Sequence, residues 1–214
     1  MHRLVNIRIN IMLKKIVVTA LNAISVVLAQ MIRLFHPLYS KFSRLWHLTL
    51  LRSKVINAVP NTTQLDGRVH VIGTGKIKLG EYCRIGNNVI LETQENGSIT
   101  LGNHVRINQG SVLVAYDQMT IGDDCLIGEY CSIRDANHGI ELNTPIRIQP
   151  HTHASITIEN DCWIARGVTI LKGVHVHQGS VIGANSVVTK DISDQSISVG
   201  IPAKVIRARK QGIY

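Results

Sequence analysis

His138 is the residue in this chain best placed to do chemistry. It opens an excursion, residues 138–157, inside the stretch RDANHGIELNTPIRIQPHTHASIT. An imidazole exchanges its proton near neutral pH and can take one from a hydroxyl, which is a poor nucleophile while protonated. No GxSxG element occurs, so direct attack of a hydroxyl on an acyl donor is more economical than a covalent acyl-enzyme. His138 would then be the general base, and a backbone N–H at a turn would meet the developing oxyanion. Two His-x-His pairs, His151/His153 and His175/His177, have the spacing of metal ligands. His175 and His177 flank an inward Val176, which makes them outward surface residues, and no metal is expected.

The elements that must position His138 follow from a repeat of six. Aliphatic residues return at Leu79, Ile85 and Leu91, at Leu101, Ile107 and Leu113, and at Ile121, Ile127 and Ile133. After the excursion the run resumes at Ile158, Ile164, Ile170, Val176, Ile182 and Val188. The hexads read LGEYCR, IGNNVI, LGNHVR, IGDDCL, IGEYCS, IENDCW, IARGVT and IGANSV. Six is neither the 3.6 of a helix nor the 2 of a lone strand. A chain that turns a corner every six residues, with one aliphatic inward per side, winds into a three-sided solenoid. Five to six coils at about 4.8 Å make a prism roughly 25 to 30 Å long. Gly in the second place suits a corner with unusual backbone angles, and nearby Asn or Asp serve the same need. Cys83, Cys125, Cys131 and Cys162 all fall fifth in their hexads, a slot for small buried residues, so they read as packed thiols in a reducing cytoplasm.

The interior this implies matches the composition, 45% hydrophobic with only 4% aromatic residues, since small branched side chains repeated many times favour strands. Charge is unevenly placed. All nine basic residues from Arg3 to Lys54 precede the first acid, Asp66, and the chain from Asp66 onward carries 14 basic and 14 acidic residues. The net +9 therefore belongs to residues 1–58, which points to an attachment segment and excludes a nucleic-acid face spread over the fold. Residues 1–65 read as a basic, apolar helical segment and linker, broken near His36 and Pro37. Residues 66–200 are the solenoid, and 201–214 a C-terminal tail. Lys15 and Arg33 bracket seventeen uncharged residues, short of the roughly 20 a spanning helix needs. The segment is expected to cap the prism, pack on a neighbouring subunit, or lie on the inner membrane surface.

TIGDDCLIGEYCSIRDANHG, ENDCWIARGVTILKGVHVHQGSVIGANSVVTKDI and VGIPAKVIR together resemble the hexapeptide-repeat acyltransferases over residues 70–210. The likeness is to the xenobiotic, maltose and galactoside acetyltransferase group and to polysaccharide O-acetyltransferases. It implies a left-handed parallel β-helix with an N-terminal helical segment and a protruding loop, a homotrimer with active sites between subunits, and acetyl-CoA as co-substrate. By position it places His138, seventeen residues beyond Ile121, on the catalytic histidine and Asn108 on an acceptor contact. Trp163, Ala184, Thr189 and Lys190 fall on positions lining coenzyme A, and Lys204 and Arg207 on those meeting its phosphates. Two departures stand out: Ala165 replaces the Gly of the WIG element, and Tyr116 occupies the place of an acidic acceptor contact.

The resulting expectation is a cytoplasmic O-acetyltransferase that acetylates a saccharide hydroxyl in surface-polysaccharide biosynthesis. Its alternatives are an acetyltransferase for a xenobiotic, serine or a free sugar, a metal enzyme of the γ-carbonic anhydrase type, and a silent trimerisation module.

Overall fold

A computed structural model describes residues 2–210, with side-chain exposure from Met12 onward. The chain divides into two compact units, one ending at Ser43 and one beginning at Arg44.

The first unit belongs to a single helix, His2–Arg52. The expected break at Pro37 is absent, and Ser40 Oγ donates to the Pro37 carbonyl at 2.9 Å. Proline removes one backbone donor but leaves the bonds of neighbouring turns in place, so a long helix can run through it. Every large apolar side chain from Met12 to Leu38 is more than half exposed. The helix contains an 18-residue window of mean hydropathy 1.8, long and apolar enough to cross a membrane by length and composition. Apolar Met12 and Leu13 lie beyond the lysine pair and lengthen the apolar run, since long basic side chains can snorkel.

The second unit is a three-faced parallel β-helix. Its first face stacks Gln64–Leu65, Arg84–Ile85, Arg106–Ile107, Leu126–Ile127, Trp163–Ile164, Val181–Ile182 and Ser196–Gly200. The second stacks Val69–Gly73, Val89–Thr93, Val112–Ala115, Ser132–Arg134, Thr169–Ile170 and Val187–Val188. The third stacks Ile77–Leu79, Ser98–Leu101, Gln118–Ile121, Ile156–Ile158 and His175–Val176, continued by a bridge from Val176 to Ile192. Seven rungs on the first face exceed the five to six coils expected, because the chain before Leu79 already pairs. The hexad aliphatics form the interior, with Ile85, Leu91, Ile107, Leu113, Ile121, Ile127, Ile133, Ile158, Ile164 and Ile170 all fully buried. Each such side chain contributes about 1.5–3 kcal/mol of burial.

The repeat's glycine plays a different part from the one expected. Left-handed backbone falls on the fourth hexad residue, as at Tyr82, His104, Asp124 and Asp161 on one edge and Asn88, Tyr130 and Asn185 on another. Glycine in the second place is instead required by close approach. A Cβ on Gly80 would lie 2.4 Å from the carbonyl oxygen of Gly102 in the next turn.

The four cysteines are buried and free, and each Sγ lies near a carbonyl of an adjoining turn, as Cys83 to Gly102 at 3.1 Å and Cys131 to Ala165 at 3.1 Å. Both ends of the prism are covered. Leu48, Leu51, Val55 and Val59 pack onto the core at the start, and Ala203–Ala208 folds back antiparallel on Ser196–Gly200 at the finish. Residues after 200 thus begin as a strand of the first face.

Candidate active site

The excursion is a hairpin arm. Ala136–His138 pairs antiparallel with His151–His153, and the register sets His138 opposite His151. Gly139 N donates to the Pro150 carbonyl at 3.0 Å, continuing the ladder. Further out, the half-closed loop is tied by one buried side chain. Gln149 Nε2 donates to the carbonyls of Glu141 (2.9 Å) and Thr144 (2.7 Å), while its Oε1 accepts from Glu141 N at 2.8 Å.

Asp135 fixes the arm's root. Its fully buried carboxylate accepts from Tyr116 N and Asp117 N, both at 2.8 Å, and its carbonyl accepts from Ala154 N at 2.9 Å. Burial pushes the Asp135 carboxyl above its usual range, against the opposing effect of these two N–H donors. Ser155 Oγ adds a bond to Asp117 at 2.9 Å. The strand below, the start of the arm and its return are thereby locked together, which is what a catalytic side chain on a protruding element needs to hold its position.

Between the arm and the second face lies a cleft of about 760 Å³. His138 stands exposed at it, its ring centroid 4.3 Å from that of His151, which in turn lies 4.6 Å from Tyr116. Glu92 and Arg134 line the face side and Lys172 the far side, where its Nζ donates to Thr152 Oγ1 at 2.7 Å. Burial raises the Tyr116 hydroxyl above its usual range, with Glu92 adding to the effect, so this phenol stays neutral at pH 7 and offers a hydrogen-bond donor. An imidazole, a neutral phenol and charged side chains of both signs around an open cleft suit a polar, hydroxylated ligand.

Glu92, Arg134 and Lys172 belong to no motif or spacing in the sequence that points to this cleft. His151 carried a signal, since the two triplets ANH and HTH bracket the loop at hairpin spacing; it was instead read as half of a metal pair.

The remaining expected residues sit elsewhere on the prism. Asn108 lies at a corner after the first face, where its Oδ1 accepts from Arg106 Nε at 3.1 Å, and it does not line the His138 cleft. Trp163 is half exposed on the first face beside Leu126, Val181, Asp161 and Arg209, around a hollow of about 360 Å³. A cross-strand row runs from Trp163 through Val181 and Ile197 to Arg207, about 14 Å at the spacing of adjacent strands. Lys204 pairs with Val199 in the same closing hairpin. Ala184 is exposed just past Val181–Ile182, and Thr189 and Lys190 are exposed just past Val187–Val188. Trp163 and Arg207 therefore share one row, whereas His138 and Asn108 occupy different edges of the same chain. His175 and His177 flank the buried Val176 and are themselves partly exposed, each within ion-pair distance of Glu159.

Comparison with known proteins agrees with this architecture. Residues 155–190 match the family described as Bacterial transferase hexapeptide (six repeats), and residues 118–144 the Hexapeptide repeat of succinyl-transferase. The putative lipopolysaccharide biosynthesis O-acetyl transferase WbbJ of Escherichia coli is 30% identical over 64% of this chain and 74% of its own. A probable acetyltransferase of Mycobacterium tuberculosis is 32% identical over 72% of this chain; the match spans about half that relative's length, 48%. Among solved structures, a hexapeptide-repeat acetyltransferase of Vibrio cholerae complexed with acetyl coenzyme A is 26% identical. That match has a TM-score of 0.52 and covers 77% of this chain and 76% of the other.

The chain belongs to the hexapeptide-repeat acyltransferase family. Its prism is the left-handed parallel β-helix of that family.

Proposed function

We propose that this protein is an acetyl-CoA-dependent O-acetyltransferase acting on a saccharide hydroxyl during assembly of a surface glycan. The observation that carries the reading is His138 at the head of an arm rooted by Asp135, facing an open cleft lined by a phenol and by charged side chains of both signs. In this reading the acceptor hydroxyl lies against His138, which removes its proton as the oxygen attacks the thioester carbonyl. Collapse of the tetrahedral intermediate releases coenzyme A as its thiol. The similarity to a protein named for lipopolysaccharide biosynthesis and to one holding acetyl coenzyme A supports the donor and the acceptor class.

The active unit in this proposal is a homotrimer. Trp163 and Arg207 on the first face and His138 on the arm occupy different edges of one prism, so a site using both sets draws on two chains. Coenzyme A would run along the exposed row from Trp163 toward Arg207 and Lys204, with the cations meeting its phosphates through charge-assisted bonds. Ala184, Thr189 and Lys190 would line its path, and Asn108 of a neighbouring copy would contact the acceptor.

The proposed location is the cytoplasmic face of the cell membrane. An exposed apolar helix bearing basic residues and no acid fits an anionic bilayer, each basic residue near the surface adding about 1 kcal/mol.

The test is transfer of labelled acetyl from acetyl-CoA to nucleotide sugars, glycan fragments and lipid-linked saccharides, with serine and a macrolide as comparison acceptors. NMR of the product then locates the new ester. Transfer to a saccharide oxygen supports the reading; preferential turnover of serine or the macrolide overturns the acceptor class.

A further inference from the structure

One column of the prism breaks the repeat in a way that assembles ligands. On the third face, Leu79, Leu101, Ile121, Ile158 and Val176 stack in register. The residues that follow them are Gly80, Gly102, Gly122, Glu159 and His177. At the three glycines a Cβ would lie 2.4, 2.3 and 2.2 Å from atoms of the next turn, so close approach keeps that column bare. In the last two turns it gives way to two side chains with donor atoms, one above the other. A third, His175, lies two residues before His177 and therefore on the same side of the strand.

The three converge. Glu159 Oε1 is 2.7 Å from His175 Nε2 and 3.3 Å from His177 Nδ1, the imidazole centroids are 3.9 Å apart, and one ligand atom from each residue lies within 4.8 Å of the other two. The other carboxylate oxygen accepts from Gln178 N at 2.8 Å, which orients Oε1 toward the rings. These contacts, the Gln178 N–H first, hold the Glu159 carboxyl below its usual range.

We propose that Glu159, His175 and His177 bind a divalent transition-metal ion, zinc by its donor set, and that the ion staples two successive turns behind the catalytic arm. Two imidazoles and a carboxylate are ligands that zinc takes in tetrahedral sites with an open fourth position. Magnesium and calcium prefer oxygen donors throughout. Tetrahedral ligands about 2.0–2.2 Å from zinc stand roughly 3.4 Å apart. The His177 pair already has that spacing, and the His175 pair reaches it by opening a hydrogen bond. The half-buried setting leaves the fourth position to water.

The full-length protein, stripped with chelator, is dialysed against zinc alone and the bound metal measured by elemental analysis. About one zinc per chain is expected. His177→Gly restores the residue carried elsewhere in the column and should weaken binding by more than about 100-fold, beyond the loss typical of an outer-shell partner. Glu159→Gln keeps the shape and should weaken it too, whereas His153→Ala, in the other His-x-His pair, should not. Cobalt in place of zinc should give the visible bands of a four-coordinate site in wild type only. Absence of zinc binding at millimolar metal, or full binding by folded Glu159→Gln, overturns the proposal. Neither outcome bears on acetyl transfer, which is measured separately.

Discussion

At the residue scale, His138 and the cysteines differ in what their surroundings allow. His138 stands exposed on a hairpin whose root is fixed by Asp135 and whose loop is fixed by Gln149. Gln149→Ala removes three loop-closing bonds while leaving the His138–His151 register in place. It should lower kcat/KM by about 10-fold or more through misplacement of the arm, with a smaller effect on global stability; steady-state kinetics beside a thermal melt checks both. The thiols are the opposite case. Burial raises Cys83 and Cys131 above the usual thiol range, so little thiolate is present and access is closed. A thiol reagent should modify none of the four at an appreciable rate in the folded protein and all four in denaturant. Rapid native labelling would show that the coils open. The place of His138 at the head of the excursion and the burial of the cysteines were legible in the sequence, because one follows from where the six-residue repeat stops and the other from place within the hexads. The partners of His138 were not, since Tyr116, Glu92 and His151 come from other turns or from the return limb, and only the register of the arm brings them together.

At the scale of elements, the hexad period implied the faces but misassigned the glycine. Left-handed angles need no glycine when Asn, Asp, Tyr or His can occupy them, and the fourth hexad place does this repeatedly. Steric pressure from the next turn is invisible along the chain, yet it decides the second place. Gly80→Ala should therefore cost about 1–3 kcal/mol as the next turn is pushed away, lowering Tm by about 3–10 °C. A melt of that variant beside Asn108→Gly, at an equivalent hexad position that already carries a side chain, distinguishes steric crowding from a general effect of sequence change. The N-terminal helix is the other element in question. A charge-bounded stretch of seventeen residues left capping, packing on a neighbour and lying on the membrane open, and the continuous helix exposes apolar side chains along its described length. Flotation with vesicles containing anionic phospholipid should carry the wild-type protein. Leu21→Lys together with Ile24→Lys should leave it in the soluble fraction, at about 2.5–3.5 kcal/mol per charge placed in hydrocarbon. Equal flotation of the two proteins would sink the membrane assignment.

At the scale of the whole molecule, the proposed reading places the base on one edge of the prism and the cofactor contacts on another, so it calls for a second copy to complete the site. The family resemblance supplied that arrangement and the cofactor residues; the period alone supplied the prism and its interruption. The most direct measurement is thiol release from acetyl-CoA by wild type and His138→Ala with a competent saccharide acceptor, alongside coenzyme A binding to each. Acceptor-dependent release should fall by about 10²–10⁴-fold in His138→Ala with coenzyme A binding retained. Equal acceptor-dependent release by the two proteins would contradict general-base catalysis by His138.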